Sequence, residues 1–461
     1  MKQVSVKRLR GLDFTLAAAA ATLLIGAPTY AGEHRFGVIV GDYVQADPSA
    51  TPHFSCELRP FDLSKGLYCY TPPAIRAAYG VNSLINNGAN GAGQTIVILD
   101  AFGSPTIQDD LKKFDTLFGI PAPPSFQIVT MPGTPPFDPS DGNMVGWTSE
   151  IALDVQWSHA MAPAASIVLV AAASNNDSDL IAALNYALDN HLGNVVSMSF
   201  GESEIFLANP DGLDIVASWT AAFKKARQHH VTLFVSSGDQ GVDTQSIGTP
   251  SASFPSTSSL VVSVGGTNLR FGTATNADIN GSYQFEQVWD DPADTNATHI
   301  YGAGGGGMSF LIPQPQYQKN NVPKAVNKTL HGYRGVPDLA YNAGVAGGVI
   351  AYWGVGGGFF IFGGTSAGAP QWAGITADIN SALGRPVGFI NPWLYQLGGH
   401  GGLRSSFHDI TIGNNGWNGV TGYPATPGYD LSTGWGTPNF GNLAIMLSNP
   451  PEDSGDPGSD P

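Results

Sequence analysis

What most constrains this chain is an alternation. Strand-length apolar runs at 95–99, 127–130, 166–171, 194–199, 232–236 and 260–264 are separated by helical stretches, clearest at 149–159, 177–191 and 212–229. Several runs, such as Thr95-Ile96-Val97-Ile98-Leu99, are apolar throughout and rich in Val and Ile. A strand that is apolar on both faces must be covered on both faces, as in a parallel sheet between two helical layers. The chain is therefore expected to form one large α/β domain, with a mostly parallel central sheet covered by helices on both faces. Hydrophobic residues make up 42% of its 461 residues, enough to fill such a core. The stretch 300–362 is Gly-rich and reads as more irregular, and there is no internal repeat.

The two ends differ from this body. Lys2, Lys7, Arg8 and Arg10 precede an apolar run at 14–25 that is too short to span a bilayer, and Thr29-Tyr30-Ala31 follows as a cleavage site. Residues 1–31 thus read as an export signal. No later segment is long and apolar enough to be transmembrane, so the expected mature protein is secreted, soluble, monomeric and without a membrane partner. Residues 32–69 carry little periodicity and read as a short pro-segment or N-terminal extension. The domain itself is taken as 70–448, opening with a short helix at 72–79 that starts on prolines and ends at Gly80. The tail 449–461, made of Pro, Gly, Ser and acidic residues, reads as disordered. Export allows the only two cysteines, Cys56 and Cys69, to form a disulfide. A net charge of −16 with only 20 Lys and Arg leaves no basic face for nucleic acid. A charged fraction of 12% and a sequence pI near 4.8 suit a protein that works in acid, where few carboxylates need protonating.

The chemistry centres on Gly363-Gly364-Thr365-Ser366-Ala367-Gly368-Ala369-Pro370, between an apolar strand at 358–362 and an apolar segment at 371–383. Small neighbours let backbone and substrate approach the serine closely. If Thr365 or Ser366 caps the following helix, the Ser366 hydroxyl lies near free N–H groups and a positive dipole end. Pro370 then falls in the first turn, where its missing N–H costs little. A Gly-rich joint with an incidental serine would look the same, so the partners decide. None of the ten histidines lies in a Gly-rich, helix-opening setting; His191, His229 and His230 close expected helices, where a cation is favourable anyway.

Carboxylates offer more. Glu150 and Asp154 share one face of an apolar helix for which Thr148 or Ser149 is an available cap. An acidic first turn accounts for Glu150 but poorly for Asp154, one turn further on. A close carboxyl pair with one raised pKa handles protons, and in acid it can accept one where a histidine is already charged. Asp239 follows the run at 232–236 in Ser237-Gly238-Asp239, on a tight turn at the carboxyl edge where α/β sites gather. Alone it would be an ordinary turn aspartate.

Together, Glu150-x-x-x-Asp154, Ser237-Gly238-Asp239 and Gly364-Thr365-Ser366-Ala367 with Pro370 resemble the sedolisin family of serine-carboxyl peptidases. The resemblance runs over roughly 70–447. It includes Tyr70-Thr71-Pro72, Ser197-Met198-Ser199-Phe200-Gly201, Val264-Gly265-Gly266-Thr267, the segment 304–309 followed by Pro313, and Val336-Pro337-Asp338. It implies a subtilisin-like fold and an acid-acting endopeptidase whose partners are polypeptide substrates. By this resemblance Ser366 is the nucleophile, Glu150 the general base and acid, and Asp154 the group that orients it. Asp239, protonated, would donate a hydrogen bond to the oxyanion. Ser197, Ser199 and Gly201 would hold an extended peptide by main-chain hydrogen bonds. One structural calcium ion is also implied, bound by Asp409, Asp430 and the carbonyls of Ile410, Thr426 and Gly428. Thr426 stands where members often have Gly, and the short segment 32–69 stands where members carry a long folded pro-domain. The competing reading is an α/β-hydrolase esterase or lipase built on Gly364-Thr365-Ser366-Ala367-Gly368, with Asp378 and His400 or His408 downstream. Its serine lies late, with few strand–helix units left to hold the other two groups.

Overall fold

The computed structural model describes residues 35–36, 38–59, 66–271, 279–291, 302–399 and 406–440. The expected export signal 1–31, the tail 449–461 expected to be disordered, and His400 lie outside them. Among the described residues no helix is long and apolar enough to cross a membrane.

The apolar runs become β1 (Thr95–Ala101), β2 (Phe126–Thr130), β3 (Ser166–Ala172), β4 (Val195–Met198), β5 (Thr232–Ser236) and β6 (Val262–Phe271). With β7 (Tyr283–Val288) and β8 (Leu339–Asn342) they form an eight-stranded sheet in the order β7-β6-β5-β4-β1-β3-β2, β8 pairing with β6. Every pairing is parallel except β6 with β7. The helices are α1 (Ile107–Phe118), α2 (Gly142–Met161), α3 (Asp177–Asp189), α4 (Pro210–Gln228) and α5 (Gly368–Leu383).

Alternate strand residues feed two separate cores. Ile96 and Ile98 pack in one with Ile151 and Leu153 of α2 and Trp372 of α5. Val97 and Leu99 pack in the other with Leu180 and Leu184 of α3 and Trp219 and Phe223 of α4. That double burial is why the runs are apolar at every position.

Two expectations need correction. α2 begins at Gly142, capped by Asp141, whose side chain accepts from the N–H of Asn143 and Met144. Thr148 and Ser149 are interior instead, their hydroxyls bonded back to the carbonyls of Val145 and Gly146, an alternative open to short hydroxyl side chains within a helix. Glu150 and Asp154 therefore sit in mid-helix, away from the dipole end. The stretch 300–362 is also more regular than its composition suggests. It supplies Gly307–Pro313, Tyr333–Val336, β8, Gly348–Trp353 and Gly358–Gly363. Local reading misses these because their partners are remote. Gly348–Trp353 and Gly358–Gly363 form a hairpin flanked by Cys69–Tyr70 on one side and Ile39–Val44 on the other. Cys56 and Cys69 form a disulfide. A third, three-stranded sheet places Phe200–Ser203 between Arg35–Phe36 and Ser253–Phe254.

Candidate active site

Ser366 lies in a short 3-10 turn, Thr365–Ala367, between the strand Gly358–Gly363 and α5. Gly364 enters this turn at φ 100°, a backbone region open in practice to glycine. Neither Thr365 nor Ser366 caps α5: Ala367 holds the cap position, and Pro370 falls in the first turn. The Thr365 groups that a cap would use are turned to Asp239. Asp239 Oδ1 accepts from the Thr365 amide at 2.7 Å and from its hydroxyl at 2.8 Å. The Gly238 amide in turn donates to the Thr365 hydroxyl at 3.0 Å. The turn after β5 and the turn before α5 are thus tied together, and Asp239 Oδ2 stays buried without a bond.

Glu150 and Asp154 project from α2, both fully buried. The Ser366 hydroxyl lies against Glu150, Glu150 against Asp154, and Asp154 beside the Ser199 hydroxyl. None of these contacts is a well-aligned hydrogen bond; catalytic contacts are often loose without substrate and tighten when it binds. Burial, followed by the neighbouring charges of Asp154 and Asp100, holds Glu150 well above the usual carboxylate range, and Ser366 opposes that rise. Burial and then Asp100 likewise raise Asp154, with Ser199 and Glu150 opposing. Burial lifts Asp239 to about 7, against its bonds to Thr365. At neutral pH and below, such a group holds protons that exposed carboxylates have lost.

Sequence reasoning missed Asp100. It is the penultimate residue of the central strand β1, is fully buried, and is raised by burial to about 8. A carboxylate closing an apolar strand at the carboxyl edge was the signal, the same one that singled out Asp239. Asp291, whose charge raises Asp239 further, carried no comparable local mark.

The three residues expected to bind substrate lie in different settings. Ser197 is paired on both sides inside the central sheet, with Ile98 and Phe234, so its main chain has no place for a peptide. Ser199 lies past the end of β4. At Gly201 a Cβ would stand 2.9 Å from the Phe254 carbonyl and nearer still to Ser253 Oγ, so only glycine lets the strands approach.

The expected calcium loops are brought together. The Gly428 amide donates to Asp409 Oδ1 at 3.1 Å and Oδ2 at 3.0 Å, and the Thr426 amide donates to Asp430 Oδ2 at 2.9 Å. Asp430 Oδ1 accepts from the amides of Ser432 and Thr433. Burial nevertheless raises Asp430 to about 6, as for a carboxylate short of counter-charge. Two carboxylates beside loop carbonyls fit a hard cation wanting oxygen ligands. Among the described residues no group of three or more His, Cys, Asp or Glu side chains could hold a metal, so carbonyls would have to complete the shell.

For the hydrolase reading, Asp378 is buried in α5 with Arg76 as its charged neighbour. His408 stacks on Tyr283, ring centroids 3.7 Å apart, and burial lowers it to about 4. Among the described residues no hydrogen bond joins either of them to Ser366.

Comparison with known proteins gives a consistent picture. Residues 142–389 match the model of the subtilase family. The chain is 33% identical to kumamolisin of Bacillus sp. (strain MN-32) over 427 residues, covering 89% of this chain and 71% of that protein. It is 31% identical to sedolisin of Pseudomonas sp. (strain 101) over 280 residues, spanning 59% of this chain and 44% of that protein. A solved Pseudomonas sedolisin, a serine-carboxyl proteinase complexed with two molecules of pseudo-iodotyrostatin, superposes with a TM-score of 0.69 at 27% identity. That match covers 83% of this chain and 99% of the other.

Proposed function

The chain belongs to the sedolisin family of serine-carboxyl peptidases, and on that premise we propose that it is an exported, acid-acting endopeptidase that cleaves polypeptides through an acyl-enzyme on Ser366. Ser366 Oγ attacks the scissile carbonyl while Glu150 takes its proton and then delivers it to the leaving amine. Water repeats the sequence on the acyl-enzyme. Asp154, with Asp100 behind it, holds Glu150 in place and keeps its proton affinity high. Asp239 donates from its free Oδ2 to the oxyanion, which requires a neutral carboxyl. The main chain from Ser199 to Gly201 would take the peptide as an added strand in the place that Arg35–Phe36 hold beside Phe200 and Gly201.

The observation that carries this reading is the buried contact series from Ser366 through Glu150 to Asp154. The test is cleavage of a denatured protein from acid to neutral pH by wild type, Ser366→Ala, Glu150→Gln and His408→Ala. The expected outcome is an acid optimum, loss in the first two variants and retention in the third. An optimum near neutrality that is lost with His408 would overturn it. Asp409, Asp430 and the carbonyls of Ile410, Thr426 and Gly428 would hold one calcium ion, whose charge would cross-link the two loops.

A further inference from the structure

The strand Phe200–Ser203 has two edges, and its pairing fixes which groups face which. In an antiparallel ladder one residue turns its N–H and C=O to one neighbour, and the next residue turns to the other. The Glu204 amide donates to the Ala252 carbonyl, and Glu202 pairs with Phe254, so these two face the strand Ser253–Phe254. Gly201 and Ser203 therefore face the opposite edge, where Arg35 and Phe36 pair with Gly201 and Phe200. That is the edge on which a substrate strand would add. Its far end is already taken: the Ser203 amide donates to Gln245 Oε1 at 2.9 Å. Ser203 is fully buried, and its hydroxyl bonds to that of Ser251, so this end of the strand is held to the loop 243–251 twice.

Gln245 reaches Ser203 from a strained backbone. Gln245 at φ 66° and Ser246 at φ 53° are successive non-glycine residues in the left-handed region. That conformation is costly for L-residues and persists only where the surroundings impose it. Here they do. Asp243 Oδ1 accepts from the Ile247 amide and Oδ2 from the Gly248 amide, both at 2.9 Å. Trp417 Nε1, from a third segment, donates to the Ser246 hydroxyl at 2.8 Å. The result of this strain is one side-chain amide aimed at one strand amide.

We propose that Gln245 ends the peptide-binding edge: its side-chain amide takes the place of a substrate main chain at Ser203, so strand pairing on the acyl side of the scissile bond stops opposite Gly201. This rests on the peptidase reading above. An added strand runs antiparallel, as Arg35–Phe36 do, so its residues towards Ser203 lie N-terminal to those beside Ser199, whose hydroxyl lies by Asp154. The substrate residue opposite Glu202 meets main-chain groups turned away from it. The next one, opposite Ser203, meets an amide that is occupied. A buried amide needs an acceptor whether or not substrate is present, and Gln245 supplies it permanently. Main-chain bonds give a peptide affinity whatever its sequence, and Gln245 limits that affinity to a short stretch upstream of the cut.

The test uses the full chain in acid and peptides identical around the scissile bond, lengthened one residue at a time on the acyl side, with kcat/KM read for each. Wild type should rise until the peptide reaches Gly201 and stay flat over the next two residues. Gln245→Gly suits the left-handed backbone but has no side chain, and Gln245→Asn carries its amide one methylene short. In both, the second of those residues should bring a further rise of about three- to tenfold, the worth of one net hydrogen bond. The gain is the ratio of long to short peptide within each protein, so impaired folding and the cost of displacing Arg35–Phe36 cancel. N-methylation of the peptide at that residue removes its donor to the Ser203 carbonyl and should reduce the gain. A wild type that already gains at that residue would overturn the stop, as would an N-methyl peptide that keeps the whole gain. So would variants whose ratio stays flat or falls below wild type, a fall meaning that Gln245 holds the peptide instead. Failure of wild type to cleave a peptide of any length would instead remove the peptidase reading itself, and the stop with it.

Discussion

Asp338 and Asp154 are equally buried, yet their surroundings differ. Asp338 Oδ2 accepts from Arg334 Nη2 at 2.6 Å, the Ser263 amide at 2.8 Å and Asn391 Nδ2 at 3.2 Å, while Oδ1 accepts from the Tyr395 hydroxyl at 2.6 Å. Arg334, itself fully buried, supplies the opposite charge. Asp154 has no comparably formed bond, and its near neighbours are two more carboxyls and a serine hydroxyl. A folded chain normally satisfies its buried polar groups. Where it leaves several acids together unsatisfied, proton affinity is being set rather than structure held. The first site ties β6, the start of β8 and the helix Asn391–Gly399 together; the second, on the proposed mechanism, would keep protons ready for exchange.

The comparison breaks if the two sites respond alike to substitution. Glu150→Gln or Asp154→Asn should lower kcat by ~10²–10⁴, the usual share of a general base. Neither should lower the urea midpoint, because a neutral isostere no longer has a charge to bury. Asp338→Ala should do the reverse. It strands a buried guanidinium, a loss of about 3–5 kcal/mol seen in urea unfolding, and any residual folded fraction should keep its kcat. A destabilised Asp154→Asn beside a tolerated Asp338→Ala would show the assignment is inverted.

Asp239 sharpens the comparison because its value is defined. Asp239→Leu should cost ~10²–10³ in kcat as one oxyanion donor disappears. Asp239→Asn keeps a donor that does not titrate, so the decline in activity as pH rises through about 7 should vanish. Stability follows the same group. Its folded pKa is raised, so the folded state binds more protons, and stability is full below the unfolded value of 3.8 and falls as pH rises towards about 7. Melting temperatures measured at pH 4 and pH 8 should therefore favour acid, and Asp239→Asn should narrow the difference. Asp100, raised to about 8, adds to it with the same sign.

The smallest expected effect is at the calcium loops. Chelation at working pH should remove about 2.7 kcal/mol if the ion is normally present at a hundred times its Kd, a fall of roughly 3–4 °C in Tm for a domain of this size. Asp430→Asn should abolish the sensitivity to chelator. An unchanged melting temperature would remove the ion from this account.

Much of the site was legible because its parts carry local marks. Glu150 and Asp154 are one helical turn apart in a segment otherwise apolar, Ser366 is set among small residues, and Asp239 follows a core strand. The cap positions were not legible. Thr148 and Ser149 look like caps in sequence, but Asp141 lies earlier and its carboxylate takes the amides of Asn143 and Met144. Thr365 looks like a cap as well, yet Asp239 claims its hydroxyl. Ser197 fell within a motif, and only the sheet shows that both its edges are used.

By itself the sequence determined the layered parallel sheet, the mounting of Ser366 and the shared face of Glu150 and Asp154. Each is written in periodicity over a few residues, where side-chain identity decides burial. Tertiary structure alone decided that Asp100 joins the acid cluster, that Thr365 binds Asp239, and that Arg35–Phe36 pair with Phe200–Gly201 and Ile39–Val44 with the strand leading to Ser366. Strand pairing uses main-chain groups common to all residues, and a buried carboxyl takes its proton affinity from segments far away in sequence. Neither leaves a local trace.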